Sequence, residues 1–230
     1  MGLNGGLPTG PDKARAVRAM FDRIAPRYDL VNRVMTFGMD AGWRRTSVAA
    51  LGLARGSVVL DLACGTGDFC NDLRAAGYDA LGFDLSFGMI AAATTKAPVV
   101  QGDILRLPLR DRFADGITCG FALRNVVDLE SLFEECARVL RSGGRVALLD
   151  VAHPDAPLIR AGHHFYFHRV VPRIGALLSD RDAYRYLPES TAYLPETPAL
   201  LEMLAAAEFE DARARQMGFG AVQLLTATRL

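Results

Sequence analysis

The first half of the sequence contains two glycines and an isolated carboxylate in a spacing typical of a nucleoside-binding turn. In the segment Ser57-Val-Val-Leu-Asp-Leu-Ala-Cys-Gly-Thr-Gly-Asp68, an apolar run ends in Asp61 and leads into Gly65-Thr66-Gly67. Glycines at these positions let the backbone approach a ligand that a Cβ atom would exclude. The carboxylates of Asp61 and Asp68 would repel a pyrophosphate and suit a ligand with an amino group and a sulfonium. The turn therefore indicates S-adenosylmethionine rather than NAD, whose fingerprint would also place a third glycine where this chain has Cys70.

Further acids follow the next short apolar runs. Asp84 ends the segment 79–84, and its carboxylate can accept two hydrogen bonds from a ribose diol. Asp103 and Ile104 follow another short run, in a segment that resembles the adenine-side contact of methyltransferases. A simpler interpretation makes the glycine turn only a tight connection, and Asp84 only a cap for the helix after Ser86. Because that interpretation must explain three coincidences at once, we favour the cofactor site.

Composition and charge limit the classes of protein to consider. The chain has 230 residues, half of them apolar, which is enough to bury the core of one domain. The 26 Lys and Arg residues equal the 26 Asp and Glu residues, so no net field attracts nucleic acid. The four cysteines lack zinc-like spacing and fit buried thiols in a reducing compartment. We recognise neither a signal peptide nor an apolar run of ~18 residues, and therefore expect a cytoplasmic protein without a membrane span.

Apolar runs that alternate with amphipathic segments predict the elements of the fold. Residues 1–12 are rich in Gly and Pro and are expected to be disordered, which leaves a single domain over 13–230. Helical spacing predicts a lid over 13–51, in which Pro26 ends one helix and a second helix runs from 28 to 51. Strands are predicted near 57–62, 79–84, 98–101, 115–120 and 144–151, and helices near 67–77, 87–96 and 128–141.

This alternation predicts an α/β, Rossmann-like fold with helices on both faces of a seven-stranded, mostly parallel sheet. A turn at 142–144 separates the last of these helices from its strand, and an irregular substrate insertion covers 154–198. A helix over 198–207 and strands near 212–216 and 223–229 complete the sheet with an antiparallel carboxyl-terminal strand. Ligands of such sheets bind at the carboxyl ends of the strands, where Asp61, Asp84 and Asp103 lie.

Four segments spread over the chain carry a more specific signal. They are Met20-Phe-Asp-Arg-Ile-Ala-Pro-Arg-Tyr-Asp-Leu-Val-Asn32 with Thr36-Phe-Gly38, the turn 61–68, Phe121-Ala-Leu-Arg-Asn-Val126, and Tyr184-Arg-Tyr-Leu-Pro-Glu-Ser190. Together they resemble the ubiquinone/menaquinone C-methyltransferase family, the UbiE/MenG-type enzymes, from about residue 14 to 229. The glycine turn is shared by a whole superfamily, whereas the third and fourth segments, 121–126 and 184–190, are specific to a much narrower group of proteins.

The resemblance implies a class I methyltransferase that methylates a ring carbon of a reduced polyprenyl quinone, with S-adenosylmethionine as cosubstrate and without a metal. The acceptor would be a demethylmenaquinol or a methoxy-benzoquinol precursor of ubiquinone, and the Ala- and Arg-rich composition favours the former. The cofactor contacts that we predict at matching positions are Asp61, Gly65, Thr66, Gly67, Asp84, Met89, Asp103 and Ile104.

The reaction needs a group that favours a deprotonated quinol hydroxyl, because the ring carbon is nucleophilic enough only in an electron-rich quinol. We expect Arg124 to stabilise the phenolate with its permanent charge while water takes the proton, and Asn125 to orient that water or the ring. The structural alternative is a surface ion pair of Arg124 with Asp128. His153 is a second candidate base, because an imidazole titrates near neutral pH.

Aromatic side chains are the substrate contacts that we predict. Tyr28, Tyr184 and Tyr186 offer flat rings with hydroxyl groups for a quinol, although such residues can equally pin the lid and the insertion onto the core. A second set of methionine and aromatic residues could line a channel for the prenyl tail, but such stripes on helices usually belong to cores. We therefore assign no site role to Met35, Phe37, Met39 and Trp43.

The segment 158–178 is apolar, with arginines between the apolar residues, and Pro172 interrupts it. It could rest on a membrane surface, where a polyprenyl substrate resides, or pack in the core, and both interpretations stay open. Its histidines, His163, His164 and His168, lack a convergent acid or cysteine for a metal site.

Departures from the family pattern leave the acceptor open. Ala122 stands at a usual glycine position, and 149–153 differ from the familiar Glu-Phe-Ser pattern. A methyltransferase of a soluble aromatic metabolite is therefore a second hypothesis, and a nonenzymatic S-adenosylmethionine-binding protein is a third. The expected partners are a membrane-resident quinol, transient contact with the inner face of the cell membrane, and a second copy of the chain.

Overall fold

A seven-stranded sheet forms the centre of the fold. The computed structural model describes residues 9–152 and 166–230. Along the chain the strands are β1 (Val58–Leu62), β2 (Asp79–Asp84), β3 (Val99–Gln101), β4 (Ala114–Gly120), β5 (Leu140–Val151), β6 (Phe209–Met217) and β7 (Val222–Arg229). Their order in the sheet is β3-β2-β1-β4-β5-β7-β6, and β7 is antiparallel to both of its neighbours while all other pairs are parallel. The predicted sheet with its antiparallel carboxyl-terminal strand is thereby confirmed.

Helices surround this sheet. They are α1 (Gly10–Ile24), α2 (Tyr28–Met35), α3 (Asp40–Leu51), α4 (Asp68–Ala76), α5 (Phe87–Ala91), α6 (Leu129–Val139), α7 (Val171–Leu178), α8 (Arg181–Ser190) and α9 (Thr197–Ala206). Short helical turns occur at Ala25–Arg27, Leu123–Asn125, Tyr166–Val170, Thr191–Tyr193 and Gly218–Gly220. None of the helices in the described ranges is long and apolar enough to cross a membrane.

The alternation of side chains along the strands divides the core between the two faces of the sheet. Leu60 and Leu62 of β1 belong to a buried cluster that α6 and α9 complete. Val59, which directly precedes Leu60, belongs to a second cluster that α3 and α4 complete. Leu148 and Leu149 of β5 divide in the same way. The predicted helical layers on both faces are thus present.

Several element boundaries differ from the prediction. The first helix starts at Gly10 instead of 13, and a break at residues 36–39 divides the predicted helix 28–51 into α2 and α3. The predicted turn at 142–144 is instead an irregular part of β5. There the pairing with β4 shifts register, from Ala114↔Leu140 to Gly116↔Arg145. The predicted insertion is largely helical from residue 166 onward, and residues 1–8 and 153–165 lie outside the described part of the chain.

From here on, the term lid refers to α1 and α2 only. Polar side chains of the lid contact the loops at the carboxyl edge of the sheet. The ammonium of Lys13 donates to the carbonyl oxygen of Val126 at 2.8 Å. Asp22 accepts from the Ser86 hydroxyl at 2.6 Å and from the amide of Gly88 at 2.8 Å. The lid is therefore fixed to the connections after β2 and β4.

Arg44 joins α3 to α4, the helix that follows the glycine turn. Its guanidinium contacts the carboxylates of Asp40 at 2.5 Å, Asp68 at 3.1 Å and Asp72 at 2.9 Å, with 13% of its side chain exposed. Although burial opposes it, these carboxylates raise the pKa of Arg44. Since a half-buried cation that faces three anions holds them together, Arg44 positions the start of α4 relative to α3.

Replacing Arg44 with Met should lower the free energy of unfolding by about 2–4 kcal/mol at neutral pH, because three neighbouring carboxylates lose their counter-charge. Their mutual repulsion raises their pKa values in the folded variant above the unfolded values. Stability is then lost as pH rises through the folded pKa values, so the deficit should shrink below about pH 5. Urea unfolding over a pH series measures this.

Arg45→Met is the matched control, since Arg45 is the exposed neighbour on the same helix. We expect it to change the free energy of unfolding by less than about 0.5 kcal/mol at every pH. Equal effects of the two substitutions, or an Arg44→Met deficit that grows in acid, would contradict this role of Arg44.

Candidate active site

The glycine turn between β1 and α4 has the backbone conformation that its sequence predicts. Gly65 and Gly67 have φ values of +56° and +90°, in the left-handed region that favours glycine. A Cβ atom on Gly65 would lie 3.2 Å from the Cε atom of Met89, and one on Gly67 would lie 2.4 Å from the Cγ2 atom of Thr95. Both positions therefore exclude larger residues, for steric as well as conformational reasons.

Asp84, at the end of β2, is a nearly buried carboxylate. Its two oxygens accept from the amides of Gly65 and Ser86, each at 2.8 Å, and 9% of the residue is exposed. Burial raises the pKa of this carboxyl, and the nearby charge of Asp22 adds to the effect. No cation within 9–152 or 166–230 pairs with it. Since each carboxylate oxygen can accept a further hydrogen bond, a vicinal diol is a suitable partner for Asp84.

A cavity of about 140 Å³ lies in front of this carboxylate. Five of the predicted cofactor contacts line it, namely Gly65, Asp84, Met89, Asp103 and Ile104. Its walls combine the carboxylates of Asp84 and Asp103 and the guanidinium of Arg18 with apolar side chains and backbone, a mixture that suits a nucleoside. Met89 is buried, and Ser86 caps its helix by accepting from the Met89 amide at 3.1 Å. These residues fit the adenosine part of S-adenosylmethionine.

Three other predicted cofactor contacts, Asp61, Thr66 and Gly67, line neither of the two cavities that flank the turn. Asp61 lies beneath the turn, where it accepts from the Thr118 hydroxyl at 2.9 Å and from the Cys70 thiol at 3.5 Å. Burial raises the pKa of Asp61 to about 7. The hydroxyl of Thr66 donates to Asp29 of the lid at 2.6 Å. The side chain of Asp61 therefore supports the turn from beneath, and the side chain of Thr66 connects the turn to the lid.

A second and larger cavity, of about 490 Å³, adjoins the first. Phe21, Tyr28 and Phe121 line both cavities. The wall of the larger cavity is mainly apolar and comes from the lid, α3, α7 and the turn Gly218–Gly220. It includes the four residues that we considered for a prenyl channel and assigned no site role: Met35, Phe37, Met39 and Trp43. The predicted core packing is confirmed for Met35 and Trp43, which pack against buried clusters, whereas Phe37 and Met39 are exposed.

Arg124 lines the larger cavity but is not the surface residue that the alternative interpretation proposed. Its Nη1 atom lies 2.5 Å from Asp150 and 2.7 Å from the carbonyl oxygen of Phe121, and its Nε atom donates to Ser190 at 3.2 Å. Asp128 instead caps α6 by accepting from the Ser131 amide at 3.0 Å. With Arg124 and Asp150 only 5% and 0% exposed, this is a buried ion pair in the cavity wall.

Of the other predicted catalytic and substrate residues, Tyr28 and Asn125 line the cavities, whereas Tyr186 lines neither. Asn125 lines the smaller cavity and accepts at 3.3 Å from the hydroxyl of Tyr186, whose pKa burial raises to about 12. Burial likewise raises the pKa of Tyr28. The Tyr184 backbone belongs to α8, but its side chain lies outside the described structure, as does His153. The structure therefore brings Tyr28, Asn125 and Arg124 together around Phe121.

Sequence reasoning missed Asp150, Asp22 and Phe121 as parts of this site. Asp150 is a single acid inside the apolar run 146–152, and such an acid requires a buried partner; this signal was available. Phe121 has a φ of +57°, which is rare for a bulky side chain, and its ring lies 6.3 Å from that of Trp43. Nothing in the sequence pattern predicts that strain.

No group of three or more potential metal ligands occurs in the part of the chain that the structure describes. The four cysteines are buried and form no disulfide. Burial raises the pKa of the Cys136 thiol to about 12.

Comparison with solved structures supports the fold. A SAM-dependent methyltransferase from Thermotoga maritima, described as a possible histamine N-methyltransferase, superposes with a TM-score of 0.67 at 19% identity, covering 93% of this chain and 99% of that one. A methyltransferase from Aquifex aeolicus superposes with a TM-score of 0.58 at 15% identity, covering 97% and 100%. At these identities the likeness establishes the class I methyltransferase fold alone.

Comparison of sequences is more specific. The chain is 43% identical to a demethylmenaquinone methyltransferase of a Roseiflexus species, covering 97% of both chains, and 43% identical to one of Deinococcus radiodurans, covering 91% and 90%. It is 39% identical to a ubiquinone/menaquinone biosynthesis C-methyltransferase UbiE of Syntrophotalea carbinolica, covering 92% and 93%. The model of the ubiE/COQ5 methyltransferase family matches residues 9–229, and the chain belongs to that family.

Proposed function

We propose that this protein is an S-adenosylmethionine-dependent C-methyltransferase that methylates a ring carbon of a reduced polyprenyl quinone, with demethylmenaquinol as the acceptor. One observation carries the proposal. A large apolar cavity with a buried Arg124–Asp150 pair in its wall adjoins a small cavity with a diol-accepting carboxylate, Asp84. The names of the relatives agree with this chemistry.

In the proposal, the smaller cavity holds the cofactor. Asp84 binds the ribose hydroxyls, Asp103 and Ile104 border the adenine, and the absence of a side chain at Gly65 admits the methionine portion. S-adenosylmethionine supplies an electrophilic methyl group. Phe121 and Tyr28 lie where the two cavities meet, so they border the region in which donor and acceptor approach each other.

The larger cavity holds the quinol. Its volume of about 490 Å³ is within the usual range for small-molecule sites, and its apolar wall suits both an aromatic ring and the first isoprene units of a tail. Arg124 donates hydrogen bonds to a quinol oxygen and favours the phenolate, which is the electron-rich form. The Tyr28 hydroxyl, with its raised pKa, stays protonated and acts as a second donor. Water accepts the proton of the quinol hydroxyl in this proposal, because no described carboxylate with a raised pKa lines the larger cavity.

The decisive experiment is methyl transfer from labelled S-adenosylmethionine to chemically reduced demethylmenaquinol and, separately, to a demethylated methoxy-benzoquinol. Each is dispersed in detergent, with its oxidised form as control. We expect label in demethylmenaquinol and none in the quinone. Label only in the benzoquinol would reassign the acceptor, and no label in either, with cofactor binding shown by calorimetry, would favour a soluble aromatic acceptor.

Replacing Asp84 with Asn should weaken cofactor binding by about 100-fold or more, because hydrogen bonds to a buried charge are stronger than those to an amide. Isothermal calorimetry with S-adenosylhomocysteine measures the affinity. Asp79→Asn, at the exposed opposite end of the same strand, is the matched control and should leave the affinity unchanged. Unaltered affinity in Asp84→Asn would refute the ribose assignment.

Replacing Arg124 with Met should lower turnover by about 100-fold or more, because a fixed donor to the developing phenolate is lost. It should also lower the free energy of unfolding by about 3–5 kcal/mol, because Asp150 is left buried without its partner. The double variant Arg124→Met/Asp150→Leu separates the two effects. Urea unfolding and turnover should show that the second substitution restores stability and leaves turnover low. If the double variant recovered turnover as well as stability, the role of Arg124 would be structural only.

A further inference from the structure

Exposed apolar side chains lie in the wall of the larger cavity and on the helix α2 that precedes it. Leu30, Val34 and Phe37 are 56%, 39% and 74% exposed, and their spacing places them on one face of α2 and of the turn after it. Phe219, in the turn between β6 and β7, is 85% exposed. Phe37 and Phe219 both line the cavity as well. We call these four residues the mouth surface.

The two phenylalanines are held in this exposed position by an unusual backbone. Phe37 and Phe219 have φ values of +52° and +57°, in the left-handed region that bulky residues rarely occupy. Core packing does not explain the strain, since both rings face solvent over most of their surface. The neighbouring glycines fix the turns: the Gly38 amide donates to Arg33 at 2.9 Å, and a Cβ atom on Gly218 would lie 2.7 Å from the Trp43 ring. Strain of this kind, maintained at a cavity opening, is typical of functional segments.

Exposed arginines occur on α2, on α7, which contacts α2, and on β6, which leads into the turn of Phe219. Arg33, Arg173 and Arg215 are exposed and pair with no carboxylate in the described ranges. The nearest acids on α2 and α3 are engaged elsewhere, Asp29 with the Thr66 hydroxyl and Asp40 with Arg44. An apolar surface bordered by unpaired arginines complements an anionic bilayer, which offers acyl chains beneath phosphate groups.

The geometry points to a membrane-docking site at which Phe37 and Phe219 enter an anionic lipid bilayer and join the cavity to its acyl region. The choice of a bilayer rests on the proposed function, because a polyprenyl tail must pass from the membrane into this cavity. The surface consists of α2 with the turn after it and the β6–β7 turn, and it contacts the segment 158–178 where the Phe37 ring lies 5.9 Å from the Tyr166 ring. Binding through it needs no spanning helix, since apolar side chains at loop tips and a basic border suffice for reversible contact.

The test is flotation of the full-length protein with phosphatidylcholine vesicles, with and without phosphatidylglycerol, in the absence of any cofactor or quinol. We expect the wild type to float with the anionic vesicles. The double variant Phe37→Asn/Phe219→Asn should bind at least about 100-fold more weakly, as each buried phenylalanine contributes about tenfold or more. Asparagine tolerates the left-handed conformation, so the variant should keep its fold.

Phe87→Asn makes the same change at another exposed phenylalanine, 61% exposed on α5 and outside both cavities, and should float like the wild type. Arg33→Gln/Arg215→Gln should lose the preference for anionic vesicles. A wild type that binds no vesicles, or a phenylalanine double variant that binds normally, would overturn the docking site. Self-association of the wild type, abolished in that double variant and unaffected by lipid, would overturn it in favour of a second copy of the chain.

The outcome is separable from that of the proposed function. Vesicle binding through the phenylalanines without methyl transfer to any quinol would retain the surface and reject the acceptor. Methyl transfer in detergent by a protein that binds no vesicles would retain the acceptor and reject the surface.

Discussion

A buried carboxylate that faces no cation in the described structure, Asp84, organises the cofactor side of the site. Burying a charge costs free energy unless hydrogen bonds replace those of water. Here the replacement comes from two different connections, because Gly65 follows β1 and Ser86 follows β2. The anion therefore fixes both turns relative to each other, and Gly65 must keep its left-handed conformation to present its amide. The site is consequently ordered around a negative charge before a ligand contributes any contact.

The lid couples this carboxylate to the substrate side. Asp22 accepts from Ser86 and Gly88, directly beyond Asp84, and a Cβ atom on Gly88 would lie 2.8 Å from the Asp22 backbone. Further along the lid, Met20 and Val31 form a small core with Tyr186 of α8. The same two helices therefore contact the turn of the smaller cavity and the wall of the larger one. Because one rigid element borders both cavities, ordering it around one ligand also shapes the site for the other.

The sequence predicted the features that depend on local chain geometry. The glycine turn and Asp84 were predictable because a strand, a tight turn and a terminal acid are contiguous in sequence. The partner of Arg124 was not, since Asp150 comes from β5 and only the register of the sheet brings it near. For a related reason Asp61 was placed on the ligand, whereas Thr118 of the adjacent strand holds it below the turn. The aromatic and methionine residues of the larger cavity were assigned to a core because a core and an apolar cavity wall have the same periodicity. Only the tertiary structure separates the two.

A quinol site makes opposing demands on one wall, and the Arg124–Asp150 pair meets both. The tail requires an apolar surface, whereas the ring hydroxyl requires a charged donor to become a phenolate. A lone guanidinium in such a wall would cost several kcal/mol, at the order of magnitude typical of an unpaired buried ion. Asp150 removes the net charge, and the Phe121 carbonyl and the Ser190 hydroxyl take two further hydrogen bonds. The left-handed conformation of Phe121 follows from this arrangement, because its carbonyl faces Arg124 while its ring lies against Trp43. Backbone strain at one residue, of about 1–3 kcal/mol, is a smaller cost than an uncompensated charge, which explains why a bulky residue in a rare conformation is tolerated here.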